Sequence, residues 1–228
     1  MKKLSNKLGY SIMSIILITT VILFYYITKT YIFYDFSISK NTVVIKAVFT
    51  SSAYQKGGFY SYYKGECDQK CLTVKINEIE GYESGRNALN ILKTKGVTIL
   101  TDIDVYKNPQ ILSQYKTVIL LHNEYVTQEE FDAVLSHKKV IFLYPNALYG
   151  KVLYQNNTIT LVRGHQYPLE TIHNGFDWQN DNSLLELDTK CKDWKFYNIS
   201  NGYMLNCYPE NIINRNPQIL LELAKLTN

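Results

Sequence analysis

Several signals are scarce in these 228 residues, and each scarcity removes a class of protein. Eleven glycines and five prolines are too few for a collagen-like or low-complexity chain. Charged residues make up 19% against 46% apolar residues, which excludes a disordered chain and leaves material for a core. Acidic residues are missing from the first 29 positions, where Lys2, Lys3, Lys7 and Lys29 account for the whole net charge of +4. Beyond them, 20 basic and 20 acidic residues balance. That balance offers no electrostatic excess for nucleic acid, so no nucleic-acid partner is expected. The GxSxG, GxxxxGKS/T, GxGxxG and HExxH motifs are all missing. No cofactor and no metal centre is expected.

What the chain does have begins with one long uncharged run. Residues 8–28 read LGYSIMSIILITTVILFYYIT, 21 positions without a charge. About 20 apolar residues, at about 1.5 Å each, match a hydrocarbon core of about 30 Å. Tyr25 and Tyr26 suit the far interface. A cleaved signal peptide would carry a shorter apolar region and a small-x-small site after it; Lys29-Thr30-Tyr31-Ile32-Phe33-Tyr34 offers none. The run also lacks the polar face of a core helix. The expectation is a transmembrane anchor at residues 8–28, behind a cytoplasmic tail at 1–7 and before a stalk at 29–42. Three lysines ahead of the run against one close behind it put the N-terminus in the cytoplasm. Residues 43–228 would then be the extracytoplasmic domain of a single-pass cell-membrane protein, with the membrane as a partner. Four cysteines, an even number, fit an oxidising compartment. The sequons at Asn156 and Asn198 are candidate glycosylation sites.

Beyond residue 42 the pattern alternates between strand and helix. Residues 42–50 (TVVIKAVFT), 97–100, 116–121 (KTVILL) and 139–144 (KVIFLY) read as buried strands. Residues 84–95 read as a helix capped by Ser84, with Ala88, Leu89 and Leu92 on one face and Gly96 as its left-handed stop. Asn108-Pro109 opens a short helix. Thr127-Gln128-Glu129-Glu130 reads as a capping box in which Glu130 reaches back to Thr127, and Phe131, Val134 and Leu135 face inward. This alternation predicts an α/β fold, a flavodoxin- or amidotransferase-like parallel sheet flanked by helices with right-handed crossovers. After Pro145 come two hairpins, at 151–163 and 194–207, and a final helix capped by Asn216. They predict a C-terminal β-hairpin annex that shares the core. The run Phe59-Tyr60-Ser61-Tyr62-Tyr63 reads as a half-buried strand. The twenty tyrosines are attributed to AT-rich codon usage rather than to a stacking surface.

Cys67 and Cys71 could close a small loop, and Cys191 and Cys207 flank the second hairpin. The favoured disulfides are therefore Cys67–Cys71 and Cys191–Cys207. A zinc site is the alternative, though CxxxC is atypical of a zinc knuckle. Ligands of an open parallel sheet bind beyond the carboxyl ends of its strands. There the sequence offers Ser51, Asp102, Asp104, Asn123 and Asn146 as pocket candidates, joined by His165 from a loop-rich stretch. His122 and Glu124, in the element HNEY, are the catalytic candidates. An imidazole and a carboxylate leaving a buried strand can serve as base and orienting acid, or as metal ligands. The other reading is that His122 bonds a neighbouring loop while Asn123 and Glu124 shape the turn. His137, at a helix end, reads as structural. With four cysteines committed to bridges, no thiolate nucleophile remains.

The segment VTILTDIDVYKNPQILSQYKTVILLHNEYVTQEEFDAV, followed by KKVIFLYPNALYGKV, resembles the class I glutamine amidotransferase-like superfamily. More narrowly, it is similar to domains like the C-terminal part of the N,N-dimethylformamidase large subunit. In layout it is also similar to small membrane-anchored proteins of ammonia-oxidising archaea. The match covers residues 43–150 as a fold. Amidotransferases of this kind place a nucleophilic cysteine in a strand-to-helix elbow, with a histidine and a glutamate downstream. Here the strand ending at Tyr144 runs into Pro145-Asn146-Ala147-Leu148-Tyr149-Gly150, which has no cysteine. The resemblance therefore implies the fold without the triad. The iron of the dimethylformamidase relatives finds no assignable ligands in this sequence. The expected function is a binding or envelope-associated module for an unknown small-molecule or protein partner. The alternative is a hydrolase of amides or glycans, using a metal or the His122/Glu124 pair.

Overall fold

The N-terminal lysines and the uncharged run behind them lie in one helix, α1 (Lys2–Tyr34). The computed structural model describes residues 2–34, 36–76, 83–164, 166–180 and 189–228. The chain divides into two units, Met1–Ser37 and Ile38–Asn228. Among the described residues, no helix is long and apolar enough to cross a membrane. In α1 the run of side chains from Ile12 to Ile27 is exposed throughout. Ser14, Thr19 and Thr20 interrupt it; the two threonine hydroxyls donate back to the carbonyls of Ile16 and Leu17. This overturns the anchor expected at residues 8–28, and with it the single-pass membrane location inferred from that anchor.

In the second unit, the chain enters β1 (Thr42–Lys46), which is buried along nearly its whole length. The sequence pattern reads as strand through Thr50, but the chain turns at Ala47 into α2 (Val48–Ala53) and then α3 (Phe59–Tyr63). Ala47 has no side chain with which to cap α2. Asp102 does so from 53 positions away, accepting the Phe49 N–H on Oδ2 at 2.7 Å. The tyrosine run expected as a strand is therefore helical. Gly58 permits the tight turn before it, since a Cβ there would lie 2.4 Å from the Ala53 carbonyl oxygen. A 3₁₀ turn, Gln69–Leu72, leads to β2 (Thr73–Lys75). Next, α4 (Arg86–Thr94) buries Ala88, Leu89 and Leu92, and β3 (Thr98–Thr101) follows. Thr101 and Asp104 form a reciprocal capping box that starts α5 (Asp102–Lys107). A second 3₁₀ turn, Pro109–Gln114, precedes β4 (Thr117–Leu120), β5 (Tyr125–Val126), α6 (Gln128–Ser136) and β6 (Val140–Phe142). β7 (Gly150–Gln155) and β8 (Thr158–Arg163) form the first expected hairpin. Asn156 and Asn157 turn it at φ 49° and 59°, as a two-residue turn of the primed type requires. β9 (Phe196–Ile199), β10 (Gly202–Leu205) and α7 (Pro217–Thr227) complete the chain.

The main sheet runs β3-β1-β4-β6-β10-β9. Its first five strands are parallel and β9 is an antiparallel edge. The second hairpin is thus no annex. β10 pairs with β6, with Gly202 opposite Val140, and extends the parallel array. A Cβ on Gly202 would fall 1.8 Å from the Val140 carbonyl oxygen, so this pairing tolerates only glycine. Val43, Ile45, Val118, Leu120, Val140 and Phe142 pack with Val105 of α5 and with Phe131 and Val134 of α6. Val44, Ile119 and Ile141 point the other way by strand alternation and are also fully buried. A second sheet, β2-β8-β7-β5, joins α2 and α3 around Phe49, Phe59, Leu72, Tyr125, Val152 and Ile159. The fold is α/β with two mixed sheets. The disulfides are Cys67–Cys71 and Cys191–Cys207, as expected from the sequence, and no cysteine is free. Two such bridges fit an extracellular protein. Both sequon asparagines, Asn156 and Asn198, are exposed.

Candidate functional site

Chain order and strand order together locate the switch point of the main sheet. After β1 the chain pairs β3 on one side, then crosses to β4 on the other, so the order reverses between β1 and β4. Such a switch point is where doubly wound sheets bind ligands. β4 leaves the main sheet there, and after four linking residues the same backbone is β5 of the second sheet. The linking residues are Leu121, His122, Asn123 and Glu124, all fully buried.

His122 Nε2 lies 3.4 Å from Glu124 Oε2. Asn146 meets the same nitrogen through its side-chain amide, whose oxygen or N–H end suits either imidazole tautomer. The Tyr208 hydroxyl is 3.3 Å from Nδ1. Glu124 Oε2 also accepts the Tyr54 hydroxyl at 2.6 Å, and Tyr54 in turn bonds Tyr60 at 2.7 Å. The rings of Tyr54, Tyr144 and Tyr208 surround the imidazole, with centroids 5.2–6.0 Å away. Tyr144 is buried, whereas Tyr54, Tyr60 and Tyr208 are half-buried and form the outer wall. Tyr144 donates to Glu210, whose other oxygen takes the Asn87 N–H in the first turn of α4. Glu124 Oε1 is buried and has no hydrogen-bond partner among the described residues. Burial, reinforced by the Glu124 charge, pushes the Tyr125 and Tyr63 phenols well above their ordinary range.

The other sequence candidates divide. Asn123 supports the link: its Oδ1 accepts the Leu121 N–H at 2.9 Å and its Nδ2 donates to Asp102 Oδ1 at 2.6 Å. Ser51 donates to the Ala47 carbonyl and accepts the Ser84 N–H, while Ser84 Oγ holds the His122 carbonyl; this is framework. Asp102 is fully buried beneath the site, where it caps α2. Asp104 is exposed and spent on the cap of its own helix, so it is not part of the site. His165 lies outside the described residues. His137 bonds backbone atoms of Tyr115 and Lys139 far from this edge. Among the described residues, no group of three or more His, Cys, Asp and Glu is placed to hold a metal ion.

Sequence reasoning missed the tyrosines, which come from four separate segments and carry no local signal. It also misread Glu130. Thr127 does accept the Glu130 N–H, but the Glu130 carboxyl does not reach back to complete a box. It is fully buried and lies against Asp102 instead. Burial raises both acids, Glu130 further because the Asp102 charge adds to it; the Phe49 and Val48 amides and Asn123 partly offset the rise at Asp102.

Chemically, the arrangement can hold an oriented imidazole against a carboxylate and present one unused carboxylate oxygen beneath a tyrosine wall. No family model matches the chain, and no curated protein matches it either.

Proposed function

We propose that this chain is a binding module for a small polar ligand, built on an amidotransferase-like sheet but without amidotransferase chemistry. One observation carries the reading. His122 and Glu124 are buried side by side at the switch point with Glu124 Oε1 unbonded, and no thiol accompanies them because every cysteine is in a bridge. Asn146, not cysteine, stands beside the imidazole. A ligand that donates a hydrogen bond satisfies the free oxygen, which is otherwise a costly buried acceptor. The half-buried tyrosines supply apolar faces with polar tips, as small-molecule sites commonly do. The test is calorimetric titration of the full chain with a panel of small polyols, amides and primary amines. The expected result is saturable binding by one class that Glu124→Gln abolishes and Glu129→Gln leaves unchanged. Glutamine or amide turnover lost on Glu124→Ala overturns the reading.

A second reading, a metal-independent hydrolase of amides or glycans, is favoured by the contacts on both imidazole nitrogens, which fix the ring as a general base requires. It predicts amide or glycoside turnover that falls in both His122→Gln and Glu124→Gln.

A further inference from the structure

Below the site, on the α5–α6 side of the sheet, two carboxyl groups meet where, among the described residues, no cation faces them. Asp102 and Glu130 are both fully buried. Asp102 arrives at the first position of α5, and Glu130 in the first turn of α6, two helices that pack together. The two acids are hydrogen-bond neighbours. Asp102 is well supplied with donors: Oδ2 takes the Phe49 N–H at 2.7 Å and Oδ1 the Asn123 amide at 2.6 Å. Among the described residues, no donor bonds either oxygen of Glu130. From α2 the groups that act on Asp102 are the Phe49 and Val48 amides. From the β4–β5 link it is Asn123, and from α6 it is Glu130. Among the described residues the ionisable group that acts on Glu130 is Asp102.

We propose that Asp102 and Glu130 share a single proton, carried on Glu130 and donated to Asp102, and that this proton makes the carboxyl edge of the sheet more stable in acid than at neutral or alkaline pH. A carboxylic acid has one donor to give, and Asp102 is the acceptor within reach. Two ionised carboxylates without a cation in an apolar core repel and lose their hydration, so one proton stays. The direction of the pH effect follows from proton counting. Glu130, the carrier, sits well above its unfolded value of about 4, so from that range upward the folded chain holds a proton that the unfolded chain has released. The stabilisation is complete below that range and declines as pH rises toward the folded values. The effect reaches the candidate site through Asn123, which bonds Asp102 on one side and sits between His122 and Glu124 in the chain.

The experiment is denaturant unfolding of the full oxidised chain at several values between pH 5 and 8, comparing wild type with Glu130→Gln and Asp102→Asn. In wild type, the ratio of folded to unfolded chain is expected to fall by up to tenfold per pH unit from this pair. Glu130→Gln supplies the donor permanently, so its curve is expected to be flatter, crossing above wild type by pH 8. Asp102→Asn also flattens the curve, because it leaves one ionisable carboxyl where two met. Equal slopes in wild type and Glu130→Gln overturn the proposal. Should Glu130→Gln not fold, carbon-13 carboxyl shifts of the wild type decide it. A Glu130 signal still protonated at pH 6 supports the shared proton, and two ionised signals at that pH overturn it. Neither readout depends on the ligand assigned to His122 and Glu124.

Discussion

Glu124 and Glu130 lie in one stretch of chain, both fully buried, on either side of a capping threonine. Glu124 faces an imidazole and a phenol donor, and keeps one oxygen free. Among the described residues, the ionisable group that Glu130 faces is another acid, Asp102. The same side chain at the same depth thus has two roles, set by what the rest of the fold brings alongside. At Glu124 the neighbours are positioned for a guest; at Glu130 they enclose a proton.

The contrast can be broken most strongly at His122. His122→Leu leaves Glu124 buried without its imidazole and removes the contacts to Asn146 and Tyr208, a loss expected to exceed about 3 kcal/mol, read as a lower midpoint in urea or guanidinium. An unchanged midpoint would mean that His122 does not compensate Glu124. A smaller effect is expected from Tyr54→Phe, which removes one hydrogen bond to a charged oxygen, about 1.5–3 kcal/mol. If Tyr54 instead swings away readily to admit ligand, the midpoint shifts less and binding tightens or weakens more. Smaller again is Asp102→Asn, where the loss is that of a helix cap, about 1–2 kcal/mol. Amide exchange of Phe49 should speed up with it; unaltered exchange would show that Asp102 does not cap α2. At the small end is Arg163→Gln, which severs an exposed pair with Asp177 and should leave the midpoint in place.

The sequence made much of this architecture readable. α6 announces itself through Thr127 and its apolar face, the first hairpin through Asn156-Asn157, and α7 through Asn216-Pro217. What stayed hidden was supplied from far along the chain. α2 looks like the end of a strand because its cap is Asp102, and β10 looks like half of an isolated hairpin because its parallel partner, β6, lies some sixty positions back. The site divides along the same line. HNEY was visible because polar groups follow a buried strand, and Asp102 because it follows another. Tyr54, Tyr60, Tyr144 and Tyr208 are four of twenty tyrosines, and nothing local sets them apart. Glu130 was misjudged because its spacing from Thr127 fits a local cap equally well. Only the packing of α5 on α6 decides between cap and core.

The distant cap on α2 also bears on time. A six-residue helix cannot persist alone, and this one waits for a carboxylate 53 positions downstream. β1, β3 and the start of α5 must therefore assemble before α2 holds its shape and Tyr54 reaches Glu124. Pairings of such long sequence separation slow folding toward the millisecond-to-second regime. The tyrosine wall is accordingly expected among the last parts of the molecule to form and the first to loosen.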